Sequence, residues 1–267
     1  MSFIPVAPFG GYSGWSFLKR TLTAQQTAFN ASAEVKRDTA YFQQKIDSVK
    51  SADDLVSDRR LLKVALGAFG LDADINNKVF IRKVLADGTL DTGDLGNRLA
   101  NKQYAALSSA FGFGDFAVPS TQISDFSKKI VAAYQDRQFE AALGTQNNDL
   151  RLALNTRREL TQLASKSSSD TTKWYTVMGN APLRQVFEKA LGLPASFGAL
   201  DLDQQLATLR SKTETTFGDN SVGQFADPLR VEGLIRRFLA RSEALASFSS
   251  SSGGAAALQL LQAATRR

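Results

Sequence analysis

Arg59-Arg60-Leu61-Leu62-Lys63-Val64-Ala65-Leu66-Gly67-Ala68-Phe69-Gly70-Leu71 is the stretch whose reading decides the fold. Leu61, Leu62, Ala65, Leu66 and Phe69 recur three and four residues apart, the spacing that lines one face of an α-helix. Gly70 stands where a glycine just past the last turn ends a helix. The same phrase returns when Leu183, Val186, Phe187, Ala190 and Leu191 run into Gly192-Leu193, so Gly192 follows Gly70 by 122 residues. Phe139 to Gly144, 74 residues on from the first, is a fainter echo. Each is followed by an acidic or Asn-rich cap and a further helix: Asp72 to Asn77, Asn147 to Asp149, Asp201 to Asp203. A spacing of 122 is not a solenoid period, so the pattern points to duplication of a small helical unit. Chance likeness between glycine-stopped Leu/Ala helices is the competing explanation.

Working outward, residues 1–14 are rich in Pro and Gly and read as an irregular arm, folded back or presented to a partner. Residues 15–50 read as a long N-terminal helical segment. Leu18, Leu22, Gln25 and Phe29 share one face, as do Phe42, Ile46 and Val49. The polar stretch between the two sets leaves a thin stripe, suited to one neighbour or a partner's helix. Residues 51–118 form the first helical unit. It opens on Ser51 as N-cap with Asp53 and Asp54 in the first turn, where the helix dipole favours acids. Phe80, Ile81, Val84 and Leu85 give it a second stripe; Leu95 with Leu99, and Tyr104, Leu107 and Phe111, suggest two more. Residues 119–170 make a middle helical segment and 171–246 the second unit, whose last helix starts at Asp227-Pro228. A Ser/Gly linker is expected over 247–254, and a short C-terminal helix over 255–267. The predicted architecture is all-α: a multi-helix bundle built from repeated helical hairpins, with a long N-terminal and a short C-terminal helix.

Composition removes several chemistries. The chain has neither Cys nor His, so thiolate nucleophiles, disulfides, histidine bases and histidine or thiolate metal sites are excluded. Gly10-Gly11-Tyr12-Ser13-Gly14 lacks the strand and the lysine of a phosphate-binding loop. The run from Asp87 to Asp94 and the alternation Asp72, Asp74, Asn76 fail as Ca²⁺ loops, with Arg98 and Lys83 where the twelfth-position Glu belongs. Asp53-Asp54 and Asp201/Asp203 are explained as helix caps. No catalytic, metal or cofactor-binding residue is assigned, and no cofactor is expected. A carboxylate- or Mg-dependent enzyme of unknown substrate stays as an alternative.

The net charge of +6 comes from 32 basic and 26 acidic residues. These mix in Lys36-Arg37-Asp38, Asp58-Arg59-Arg60 and Arg157-Arg158-Glu159, which read as solvated helix surface. That disfavours nucleic acid, which recruits a basic patch; a weak nucleic-acid binder is the third reading. No run nears the roughly 20 apolar residues of a membrane span, and no cleaved secretory signal is evident. A cytoplasmic location is the expectation.

Trp174 is expected in the core; Trp15 reads equally as core or as an anchor for a partner. A well-patterned middle flanked by two poorly self-sufficient ends makes Phe9, Trp15, Leu18, Leu22, Phe29, Leu258 and Leu261 the candidate partner-binding residues. The expected partner is a protein, and self-association is left open.

Several phrases resemble a bacterial family of unknown function, DUF1217: residues 51–58 and 61–71, Phe80-Ile81-Arg82-Lys83-Val84-Leu85, Asp149-Leu150-Arg151-Leu152-Ala153-Leu154, Thr172-Lys173-Trp174-Tyr175 and Ala190-Leu191-Gly192-Leu193-Pro194. The resemblance covers roughly residues 30–240. It implies an alphaproteobacterial setting, often near flagellar genes, and supplies no catalytic residues. Flagellar axial proteins are similar in lacking Cys and in having adhesive terminal helices, but carry β-rich middles. The implied role is therefore an accessory or assembly one.

Overall fold

The structure, a computed structural model, describes residues 3–264, with side chains through Ser247 except Ala195. Among these it contains thirteen α-helices, short 3-10 turns and no strand. The helices are α1 (Gly11–Asn30), α2 (Ala33–Lys45), α3 (Ala52–Ser57), α4 (Arg59–Phe69), α5 (Lys78–Asp87), α6 (Leu95–Arg98), α7 (Gln103–Phe111), α8 (Phe126–Gly144), α9 (Asn148–Ala164), α10 (Asp170–Gly179), α11 (Ala181–Leu191), α12 (Leu202–Phe217) and α13 (Pro228–Ala264). The chain divides into two compact units. The first takes in Leu18–Gln146 with the start of the chain through Val6; the second takes in Ala7–Phe17 and the chain from Asn147 on.

The two units repeat one internal plan. In the first, α4 is the central helix and packs on α2, α3, α7 and α8; in the second, α11 packs on α9, α10, α12 and α13. The starts and ends of α4 and α11 match at the 122-residue offset. Asp58 caps α4 by accepting the Arg60 and Leu61 N–H groups. Asn180 caps α11 by accepting that of Leu183. Such caps stabilise a helix by about 1 kcal/mol. At the far ends Gly70 and Gly192 adopt φ +71° and +68°, a left-handed turn that a Cβ makes costly. That turn lets the Leu71 N–H reach the Leu66 carbonyl at 3.0 Å and the Leu193 N–H reach the Glu188 carbonyl at 2.9 Å, closing the same hydrogen-bonded helix end twice.

The closing helices, α8 and α13, repeat as well. The Tyr134 ring lies against Gly67, and the Phe238 ring lies 5.5 Å from the ammonium of Lys189, the residue 122 further on. Arg137 reaches over Gly70 and Arg241 over Gly192. Both cores hold aromatic pairs. In the first, Phe111 meets Phe126 edge-on at 5.0 Å; in the second, Trp174 meets Phe187 edge-on at 5.4 Å, and Phe225 meets Phe187 at 5.5 Å and Phe217 at 5.6 Å. Each such pair adds about 0.5–1.5 kcal/mol beyond area burial. Trp174 is fully buried, and its indole N–H donates to the Asn220 carbonyl at 3.0 Å.

Five expectations are corrected. The helical segment from 15 to 50 is two helices broken at Ala31-Ser32. One straight helix of that length would run about 50 Å and carry the Phe29 and Phe42 sets apart; the turn buries both in the first unit. The irregular arm is shorter than 1–14, because α1 begins at Gly11. Gly144 closes the α-helical run of α8 and is absent from the positive-φ glycines, so the 74-residue echo is not a third copy. The middle segment 119–170 is no unit: α8 packs on α4 and completes the first unit, whereas α9 packs on α11 and α13 and opens the second. The Ser/Gly run 247–254 and the helix beyond it are one with α13, whose backbone is helical to Ala264. An interior glycine costs a helix about 1 kcal/mol, but extending a nucleated helix needs one residue fixed per hydrogen bond gained.

Candidate functional site

The terminal residues chosen from sequence fall into three groups. Trp15, Leu18 and Phe29 are buried and serve the protein's own core. The Trp15 indole N–H donates to the Glu232 carboxylate, 3.1 Å from each oxygen, and Phe29 packs edge-on to Phe139 at 5.6 Å. Their periodicity marked a buried face without saying whose residues cover it. Leu22 is half-buried. Phe9 is 58% exposed, its ring edge-on to Phe17 at 6.4 Å. Leu258 and Leu261 lie outside the residues whose side chains are described.

The arm before α1 is held through its backbone. The Gln25 amide accepts the Val6 N–H at 2.7 Å and donates to the Val6 carbonyl at 3.1 Å, as a neighbouring strand would. Gln146 donates to the Pro5 carbonyl. Pro5 is buried, while Ile4 and Val6 are 64% and 50% exposed.

In the first unit, Asp38, Arg59, Arg60, Lys63, Leu66, Asp72 and Ile75 line a cleft of about 420 Å³. Lys63 is the one cation in the apolar run of α4, and two acids of α2 meet it: Asp38 at 2.7 Å and Glu34 at 2.9 Å. The Tyr134 hydroxyl donates to the same Asp38 oxygen at 3.3 Å. Burial would lower the Lys63 pKa, but its hydrogen bonds to Asp38 and Glu34 outweigh that and hold it above the ordinary lysine value. Burial, aided by the Asp38 carboxylate and opposed by Lys63, raises the Tyr134 phenol.

Next to this knot, Tyr41 donates to Asp58 at 2.6 Å and the Arg60 guanidinium lies 3.8 Å over the Tyr41 ring. The hydrogen bond to Asp58 raises Tyr41. Burial would raise Asp58, yet the hydrogen bonds from Tyr41, Leu61 and Arg60 hold it below the usual carboxylate range. At neutral pH the lysine is therefore a cation and the phenols are neutral. Lys63, Tyr41, Tyr134 and Asp58 are each moved further from pH 7, where a general base would sit.

The carboxylate pairs noticed in sequence are engaged by the protein itself. Asp54 closes a capping box with Ser51, and Asp53 pairs with Arg82 at 3.2 Å. Asp201 caps α12, and Asp203 accepts the Tyr175 hydroxyl at 3.3 Å. In the two calcium-loop lookalikes, Asp87 accepts the Leu95 N–H, Asp91 that of Gly93 and Asp94 that of Asp91. Asp72 and Asp74 accept from Gln138 and Tyr104. Among the described residues no three or more Asp or Glu groups converge as a metal site, and no helix is long and apolar enough to cross a membrane.

Sequence reading missed the cleft because it took Lys36-Arg37-Asp38 and Asp58-Arg59-Arg60 as separate solvated faces. The fold brings them together: Arg60 donates to the Arg37 carbonyl at 3.3 Å, and Asp38 pairs with Lys63. The usable signal was Lys63 itself, a charge set among residues that are otherwise buried.

These features define an all-helical protein of two compact units whose central helices share their caps and left-handed glycine ends, the first unit carrying a polar cleft and an anchored terminal arm. The chain belongs to the DUF1217 family, described as proteins of unknown function, whose family model matches residues 68–231. The phrase at residues 51–58 lies ahead of that match. The crystal structure of protein AGR_C_984 from Agrobacterium tumefaciens is similar, with a TM-score of 0.73 and 26% identity over 90% of this chain and 98% of that one. No curated protein matches the chain.

Proposed function

We propose that this chain is a non-catalytic interaction or assembly protein that binds a protein partner, acting in the cytoplasm or as an accessory component of the flagellum. The observation that carries the reading is the outward display of Ile4 and Val6 from an arm that Gln25 grips by its backbone. Apolar side chains held exposed by main-chain bonds form an adhesive strip that the protein's own core does not use. The run of α13 past its last buried described residue, Ser242, supports the same reading. A helix crossing Gly253-Gly254 has weak intrinsic propensity and gains most of its stability from packing. The family resemblance supplies the flagellar setting.

Removing residues 1–29 would be a poor test, since it deletes the buried Trp15, Leu18 and Phe29. Affinity capture with the intact protein, with Ile4→Ser/Val6→Ser and with a form ending at Ser247 tests the terminal segments directly. Loss of a partner by either altered form is expected; equal recovery of every partner by all three would overturn the terminal-binding reading. Gene disruption followed by a swimming assay tests the flagellar setting, which normal motility would overturn.

A further inference from the structure

Arg59 and Arg60, successive residues of the first turn of α4, both edge the cleft. Neither forms an ion pair among the described residues. Arg59 donates to the Asn76 side-chain oxygen at 3.0 Å, and Arg60 donates to the Arg37 carbonyl while lying on the Tyr41 ring. Both guanidiniums are thus oriented by neutral groups, with donors left over. The nearest acid in sequence, Asp58, is engaged by the Arg60 and Leu61 N–H groups and the Tyr41 hydroxyl. The other cation of the cleft, Lys63, is neutralised twice, by Asp38 and Glu34. The two arginines are therefore the cleft's cations without an ion pair among the described residues, although the Arg60 charge also helps to keep Asp58 ionised.

The second unit is an internal control. At the 122-residue offset Leu61, Val64, Ala68 and Gly70 recur as Leu183, Val186, Ala190 and Gly192. Arg59, Arg60 and Lys63, by contrast, are replaced by Ala181, Pro182 and Gln185. The helix starts, caps and packs in both settings, so forming it does not require these cations. Ile75, half-buried, gives the cleft an apolar wall. Asp72 is tied to Gln138, which also lies against Gly67. The cleft therefore sets two guanidiniums beside an aliphatic wall, with the Asp72 carboxylate already held by Gln138.

We propose that this cleft docks a partner-protein segment in which an acidic residue is followed by an aliphatic one. The carboxylate would be taken by the Arg59–Arg60 fork, and the aliphatic side chain would lie along Ile75. Guanidinium matches a carboxylate through paired N–H donors, and prior orientation lowers the entropy lost on binding. The proposal rests on the reading of the chain as a protein-binding protein and names a second, separate contact for it.

The test is a nuclear magnetic resonance titration of the full chain, following the side-chain N–H signals of Arg59 and Arg60. The probes are acetyl-Glu-Glu-Leu-Leu-amide, its Gln-Gln-Leu-Leu counterpart and inorganic phosphate. Saturable shifts are expected with the acidic peptide, and binding about tenfold weaker or worse with the amide peptide, as for loss of a charged hydrogen-bond partner. Arg59→Gln/Arg60→Gln should lose the response with its circular dichroism unchanged. If that variant misfolds, Arg59→Gln alone should weaken binding, and Arg59→Lys/Arg60→Lys should keep the charge but bind less tightly than the native fork. An unchanged response in the Gln variants, equal binding of the two peptides, or phosphate binding as tightly as the acidic peptide would each overturn the proposal. The Ile4→Ser/Val6→Ser protein should respond to the peptide like the native one, so failure of the terminal-arm reading and failure of this one are told apart.

Discussion

Replacing Gly192 or Gly70 with Ala probes the duplicated helix end quantitatively. An L-residue in the left-handed region costs about 1–2 kcal/mol; fewer accessible conformations in the unfolded chain return about 0.4–1 kcal/mol. The net backbone loss at either site is then about 0.5–1.5 kcal/mol. Space separates the two. A Cβ on Gly70 would meet the Arg137 guanidinium at 3.0 Å, which a slight shift relieves. On Gly192 it would come within 2.1 Å of the Arg241 guanidinium, which must leave. Arg241 is an exposed cation at the C-terminus of α11, where it interacts favourably with the helix dipole by about 0.3–1 kcal/mol. Gly192→Ala should therefore lose about 1–2.5 kcal/mol, more than Gly70→Ala. Both tryptophans, Trp15 and Trp174, lie in the second unit, so their fluorescence follows the unit that contains Gly192. Its urea midpoint should fall by about 0.5–1 M. A midpoint that is unchanged or raised, or a larger loss for Gly70→Ala followed by circular dichroism because the first unit holds no tryptophan, would refute the assignment of a left-handed, Arg-covered helix end.

Trp174→Phe leaves the Asn220 carbonyl without its donor and opens space beside Phe187; thermal unfolding followed by circular dichroism should show a loss of about 2–3 kcal/mol. Lys63→Met tests the ion-pair knot through its pH dependence. Because Lys63 is raised in the folded protein, its contribution is complete below the ordinary lysine pKa and disappears as pH climbs through the folded value; the raised Tyr134 acts with the same sign. The native protein should lose urea resistance above about pH 10, and the Met variant less steeply. With its side chain 41% exposed, the neutral-pH cost of losing Lys63 is about 1 kcal/mol. Parallel pH profiles for the two proteins would contradict the role given to the pairing.

The sequence alone determined the helical class and the duplication. Both are local: the spacing of Leu61 to Phe69 and of Leu183 to Leu191, and a glycine that must turn left-handed after each, follow from backbone geometry. Trp174 in the core and Ser51 as an N-cap were legible for the same reason. Tertiary structure decided which helices pair. The segment 119–170 reads as one piece because its helices follow one another, yet α8 and α9 complete different units. It decided the fate of the terminal apolar residues too, since a hydrophobic stripe records that a face is covered and not by whom; Trp15, Leu18 and Phe29 turned inward. It also made the cleft, whose charges come from α2, α4 and the turn after α4. Mixed charges on separate helices look like solvated surface until packing sets Asp38 against Lys63 and leaves Arg59 and Arg60 without ion pairs among the described residues. Electrostatics falls off over a few ångströms in space, and that distance is invisible along the chain.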